Sequence, residues 1–339
     1  MMMQTIDHAG QRNQRVGLRW GILGAATIAD SVIMPSIRRI GSRITIVASR
    51  DIEKATLLAR KHAVNHVTAQ YEDVLSNPEV DAVYIPVPNA LHFPWTIAAL
   101  QAGKHVLCEK PICMHASEVR QLTEERDRSG LICAEAIMIV HHPQWESVRQ
   151  AICSGEIGDI RQVGGAFTYF RADPASIRNN LSLGGGSLRD VGMYPIVGTA
   201  FATGRDPVGA QGDLSFSATS GTDIASDCVI DFGDFRLRSF CSTLMGRRQS
   251  MLFHGEKGWI EMTAPFTTNN YHDANVIKHI DGHDQLHVEH YGRTQEQYER
   301  MLLDFEKSVE TGAPVAYPLE RSLTVQTQLD ALLKFKSHQ

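Results

Sequence analysis

The spacing of apolar positions changes along the chain, and the changes divide it. From Trp20 to about Ile137, short β-branched runs alternate with stretches of helical period. Strands are predicted at Gly21–Ala25, Ile44–Ser49, Ala82–Val87, His105–Glu109 and Leu131–Ile137. Helices at Ile28–Arg39, Ile52–His62, Trp95–Ala102 and Ser117–Ser129 separate them. Strand–helix alternation at this interval predicts a parallel sheet covered on both faces. Beyond residue 140 a helix over Glu146–Ser154 ends at Gly155, and strand-like runs take over. These are Ile160–Phe170, Asp227–Phe232, Phe235–Thr243, Gln249–His254, Gly258–Met262, Asn275–Ile280 and Gln285–Tyr291. Turn signals at Asp231–Asp234 and Glu256–Gly258 make this part mostly antiparallel. Helices Gln295–Thr311 and Leu319–Lys336 close the chain, the last able to pack back on the first part. The predicted class is α/β: a polar arm 1–19, a Rossmann domain 20–138, and an α/β domain 139–339 with an open sheet.

Composition narrows the partners. A chain of 339 residues exceeds one ordinary core, in keeping with two domains. The net charge of −5 offers no polycationic face, so nucleic acid is not expected. No apolar run approaches the ~18–20 residues of a membrane span. The arm lacks the apolar stretch of a signal peptide, and six scattered cysteines suit reduced thiols; a cytoplasmic protein is expected. His62 and His66, His141 and His142, and His283, His287 and His290 cluster locally. None comes with a tetrahedral ligand set, so no metal site is predicted.

The first strand runs through Gly24-Ala25-Ala26-Thr27-Ile28-Ala29 into a helix, a G-x-G-x-x-G/A turn with Ala26 in place of the second glycine. Gly24 permits the tight turn, and the helix start at Thr27 and Ile28 offers backbone N–H groups to a pyrophosphate. At the end of the second strand, Ser49 and Arg50 occupy the place where an NAD enzyme carries its ribose-binding acid. A guanidinium forks onto phosphate oxygens, so NADP(H) is the predicted cofactor, with Lys54 as a second cation. The alternative is that Asp51 reaches the ribose and Arg50 faces solvent.

Further chemistry gathers at the carboxyl ends of later strands. Pro86, Asn89 and His92 lie in the rigid loop after the third strand, and Glu109-Lys110-Pro111 end the fourth; all are candidate cofactor contacts. Pro111 biases Lys110 toward an extended backbone. Far along, Gly184-Gly185-Gly186-Ser187 reads as a helix start. Asp190 and Tyr194 then share one helix face, and Pro195 is expected to kink it. Arg178, just before the glycines, is a candidate substrate contact.

These segments together resemble the glucose–fructose oxidoreductase, inositol dehydrogenase and MocA family. The residues that carry the likeness are Trp20–Ala29, Glu109-Lys110-Pro111, Glu135-Ala136 through His142-Pro143, and Gly185-Gly186 through Asp190, Tyr194 and Pro195. With its tyrosine, the last motif is most similar to the branch of dihydrodiol dehydrogenases, xylose dehydrogenases and glucose–fructose oxidoreductase. Val140 departs from the arginine that many members carry before the His-Pro pair. The resemblance implies a homo-oligomer and hydride transfer to or from a carbinol carbon of a sugar or polyol. It also implies Lys110, Asp190 and Tyr194 as catalytic residues, with Tyr194 carrying the proton. A phenol is a poor base at pH 7, and one ammonium within about 4 Å supplies roughly the 4 kcal/mol needed to lower it. Lys110 is therefore expected either to lower the Tyr194 phenol or to hold the developing alkoxide, with Asp190 orienting the lysine or accepting a sugar hydroxyl. Two other readings are a sugar–sugar oxidoreductase that never releases NADP(H), with the arm over the cofactor, and a non-catalytic NADP-binding regulator.

Overall fold

The computed structural model describes residues 17–268, 273–282, 285–292 and 296–334. The predicted arm up to residue 16, His283, Gln295 and the end of the last predicted helix lie outside them.

Six strands make the first sheet: β1 (Arg19–Leu23), β2 (Arg43–Ala48), β3 (His66–Thr68), β4 (Ala82–Ile85), β5 (His105–Cys108) and β6 (Cys133–Glu135). Every pairing is parallel, and the order is β3-β2-β1-β4-β5-β6. The order reverses between β1 and β4, and the carboxyl ends of strands at such a reversal are where doubly wound sheets bind ligands. Its helices are α1 (Met34–Arg39), α2 (Ile52–Lys61), α3 (Tyr71–Ser76), α4 (His92–Gln101) and α5 (Ala116–Ser129). β3 and α3 are absent from the sequence reading because three residues at an edge carry no usable periodicity. β1 starts at Arg19, whose guanidinium pairs with Asp81 at 2.6 Å, so the first strand begins inside the predicted arm.

α6 (Pro143–Cys153) leads into an eight-stranded sheet. Its strands are β7 (Ile160–Phe170), β8 (Gly209–Phe216), β9 (Asp223–Asp231), β10 (Arg236–Ser242), β11 (Leu244–Gly255), β12 (Gly258–Met262), β13 (Ala274–Ile280) and β14 (His287–Gly292). In the order β14-β13-β12-β11-β7-β10-β9-β8 only β7–β10 is parallel. β8 was not foreseen; two glycines and an exposed edge leave it little apolar alternation. α7 (Met193–Thr203) and α6 pack on one face, with Gly198 letting the Trp145 ring close against α7; a Cβ there would stand 2.1 Å from the indole. α8 (Glu296–Thr311) and α9 (Leu319–Lys334) return to the first sheet. Trp20 lies tilted against Phe305, ring centroids 5.3 Å apart, and donates to Glu306 at 3.0 Å, and Ser322 donates to Glu135 at 2.6 Å. One continuous apolar core therefore runs through both parts.

His142 starts α6 with its neutral ring: Nδ1 accepts from the Gln144 N–H at 3.2 Å, with Pro143 at the first helical position. Burial pushes the imidazole down to about 4 from an ordinary 6.5. The unfolded chain thus binds a proton below pH 6.5 that the folded chain refuses until about pH 4, so stability is lost as pH falls through that window. We expect His142→Asn, a good cap that cannot titrate, to be less acid-sensitive by about 2 kcal/mol between pH 7 and pH 5. Urea unfolding at the two pH values measures this; equal losses in both proteins would refute it.

Candidate active site

Two π-turns build the site, each just before a proline. The first, Ala29–Ile33, precedes Pro35 in the helix that leaves β1; the second, Leu188–Gly192, precedes Pro195. A proline cannot donate and its ring crowds the carbonyl four residues back, so a widened turn relieves the helix. The expected kink at Pro195 takes this form.

At the first turn, Gly24 has φ +127°, and a Cβ there would stand 3.4 Å from the Pro86 carbonyl oxygen. Helical residues begin at Thr27, and no side chain caps the turn that follows. These residues fit a dinucleotide pyrophosphate: the backbone leaves room for it and the N–H groups are free of side-chain caps. Ser49 is buried at the end of β2 and Arg50 is exposed beyond it. Asp51 is spent elsewhere: its carboxylate accepts from the Lys54 N–H at 3.1 Å, capping α2, and pairs with the Lys54 ammonium at 3.2 Å. Lys54 is thus held by Asp51 rather than set apart as a second cation.

The loop after β4 is tied down rather than open. His92 is buried with Nδ1 2.7 Å from the Pro111 carbonyl and Nε2 2.8 Å from that of Val87. It supports the two loops with both ring nitrogens, contrary to its expected cofactor contact. Pro86 is buried beneath Gly24, and Asn89 donates to the Gly184 carbonyl at 2.9 Å, joining this loop to the second domain. Glu109 accepts from the Tyr84 hydroxyl at 2.6 Å, and burial raises its carboxyl.

The Lys110–Pro111 peptide is cis, where the sequence predicted only an extended Lys110. The Lys110 ammonium donates to the Asp190 carbonyl at 2.8 Å and to its carboxylate at 3.2 Å. The other carboxylate oxygen accepts from Arg178 Nε at 2.9 Å and from the Tyr169 hydroxyl. These donors outweigh burial and hold the Asp190 carboxyl well below the usual carboxylate range. Both oxygens are engaged, which lets Asp190 orient the lysine, while Oδ1, with one donor, keeps a lone pair open to a sugar hydroxyl.

Lys110 Nζ stands 5.2 Å from the Tyr194 ring centroid, over its face. The two residues converge across 84 positions of chain. The ammonium does not meet the phenol oxygen, however, which lies 3.5 Å from Met138 Sδ. Burial, then Glu109 and Asp190, push the phenol well above 10. Burial outweighs the nearby ammonium, which sits against the π face and makes no hydrogen bond to the phenol oxygen, so this arrangement does not favour the expected lowering of Tyr194 by Lys110. A phenol kept neutral has a proton available to give, though burial makes it a weaker acid than free tyrosine, and it cannot take one until it ionises.

A helix starts at Ser187 directly after the triple glycine, as expected, but the serine does not cap it. Asp223 of β9 reaches across instead, accepting from the Leu188 N–H at 2.6 Å and the Ser187 hydroxyl at 2.8 Å. Gly186, at φ +133°, makes room for that carboxylate. Tyr84, Tyr169 and Tyr298, whose phenol interacts with Tyr194, Glu109 and Lys110, were missed. Nothing in the local sequence marks them, since each is one aromatic in an ordinary strand or helix.

Comparison with known proteins agrees with this architecture. The NAD-binding Rossmann-fold pattern of the GFO/IDH/MocA oxidoreductases matches residues 18–137, and their C-terminal domain pattern matches residues 145–261. An uncharacterized oxidoreductase of Rhizobium meliloti is 34% identical, covering 93% of this chain and 96% of its own. An NADP(+) D-xylose 1-dehydrogenase of Haloferax volcanii is 29% identical over the same shares. Among solved structures, a 3-ketoreductase from Actinomadura kijaniata in complex with NADP and TDP-benzene superposes with a TM-score of 0.86 at 27% identity. That likeness covers 94% of this chain and 97% of the ketoreductase.

Proposed function

We propose that this chain, which belongs to the GFO/IDH/MocA oxidoreductase family, is an NADP(H)-dependent enzyme that interconverts a carbinol and a carbonyl carbon of a sugar. The carrying observation is the Lys110 ammonium, just beyond the carboxyl end of β5, fixed by Asp190 and seated over Tyr194. Gly24, Ala26, Thr27 and Ile28 would hold the pyrophosphate, with Ser49 and Arg50 at the ribose 2′ position. When bound, the nicotinamide supplies or accepts the hydride. Tyr194 gives its proton to the carbonyl oxygen as that oxygen becomes an alcohol. Lys110 stabilises the negative charge developing there, at a position preset by Asp190. The neutral phenol favours sugar reduction near neutral pH. Screening keto-sugars and aldoses with NADPH and NADP⁺ by absorbance at the nicotinamide band tests the reading. Absence of hydride transfer with every sugar would leave the non-catalytic regulator.

The spent Asp51 and the exposed Arg50 support NADP over NAD. A guanidinium–phosphate contact is worth about 1.5–3 kcal/mol. We expect Arg50→Ala to raise the KM for NADPH by roughly 10–100-fold and to leave that for NADH within about threefold. Equal effects on both cofactors would remove Arg50 from the site.

A further inference from the structure

Arg189 is the residue beside Asp190 on the second π-turn, and its side chain is buried with the residue 7% exposed. Its Nη2 donates to the Met114 carbonyl at 3.3 Å, and Gln326 of α9 donates to the same oxygen at 3.1 Å. Its Nε has no hydrogen-bond partner. A buried guanidinium is costly unless paired, and here burial lowers it while the charges of Asp223, Asp330 and Glu118 act on it through space. Glu118 also accepts from the Met114 N–H at 2.8 Å, and Glu135 from that of Ile112 at 3.0 Å.

Residues 110–114 therefore form a short bridge in the first domain that the second domain holds at both ends. Asp190 holds the Lys110 ammonium; Arg189, one residue away, holds Met114. The turn that carries both is itself pinned by Asp223. We propose that Arg189 is a positioning residue, setting the place of the Lys110 ammonium by clamping the far end of its loop. Docking of the two domains and placement of the charge are then one event, because consecutive residues of one turn make both contacts. Its effect on turnover rests on the hydride-transfer reading above; its effect on the loop does not.

The test uses the full chain. Misplacing a charge by a fraction of an ångström lowers turnover by about tenfold. Arg189→Met is expected to lower kcat by about that factor, with sugar KM and NADPH Kd within about threefold and much of the loss recovered by Arg189→Lys. In an Asp190→Asn background, where the lysine is already loose, the same change should subtract less than about twofold. Independently, hydrogen–deuterium exchange in the peptide 110–114 should quicken by about tenfold while strand 105–108 keeps its protection. Should Arg189→Met not fold, Gln326→Met, which removes the second donor to the same carbonyl, is read by the same two measurements. A full tenfold loss on top of Asp190→Asn overturns the proposal, as does unchanged exchange at 110–114 or an Arg189→Met kcat within twofold of the parent. If the parent transfers no hydride to or from any sugar, the functional reading falls and the exchange measurement alone decides the clamp.

Discussion

Lys110→Met is expected to lower turnover by about three to four orders of magnitude while NADP(H) binds within about threefold of normal. Each order corresponds to about 1.4 kcal/mol of transition-state stabilisation. Removing a preorganised charge from an enclosed site typically costs about 3–4 kcal/mol, and the loss is greater where a full charge opposes a forming alkoxide. Here the ammonium has two fixed acceptors on Asp190 and needs no reorganisation when the alkoxide forms. The variant also leaves Asp190 ionised with only Arg178 and Tyr169 as side-chain partners, so local repulsion of the alkoxide adds to the loss. The phosphate turn at Gly24 lies on a different loop, and cofactor affinity should persist. Steady-state kinetics and cofactor titration separate the two quantities. Turnover above about a tenth of the parent value would dismiss Lys110 from the chemistry.

Tyr194→Phe is expected to lower turnover by about two to three orders of magnitude, in the range typical of a positioned proton donor. The ring's packing against Phe167 and Phe266, with centroids 5.5 and 5.6 Å away, needs no hydroxyl, so stability should change little. The informative measurement is the pH profile. Burial holds the phenol above 10, so it is protonated throughout the neutral range. Sugar reduction, which uses the protonated form, should be flat with respect to this group from pH 6 to 9. Sugar oxidation, which needs phenolate, should climb by about tenfold per pH unit over the same interval. The climb should vanish in Tyr194→Phe. An oxidation rate already level by pH 7 in the parent would mean a phenol lowered by its surroundings, contrary to the geometry of Lys110 over the ring.

Much of this protein was legible before any coordinates. The alternation that gives β1, β2, β4, β5 and β6 is local, and so are the turn at Gly24 and the placement of Lys110 at a strand end. Asp190 and Tyr194 fall together because four residues bring a helix nearly full circle, and the π-turn between them did not undo that. The strands missed, β3 and β8, are edges, where neither length nor burial impresses a pattern on the residues.

Sequence alone determined the parallel sheet and the glycine turn after β1, because those follow from periodicity and chain-local chemistry, and it nominated the ammonium, carboxylate and phenol as candidates. Tertiary structure decided what each group does. Asp190 takes its donors from positions 80, 21 and 12 residues away, and only folding puts Lys110, Tyr169 and Arg178 on it. Whether the ammonium meets the phenol oxygen or the ring face depends on a few ångströms between two domains, and here it faces the ring of a phenol that burial keeps protonated. Charge and burial act through space, and distance in space is what a linear order of residues does not contain.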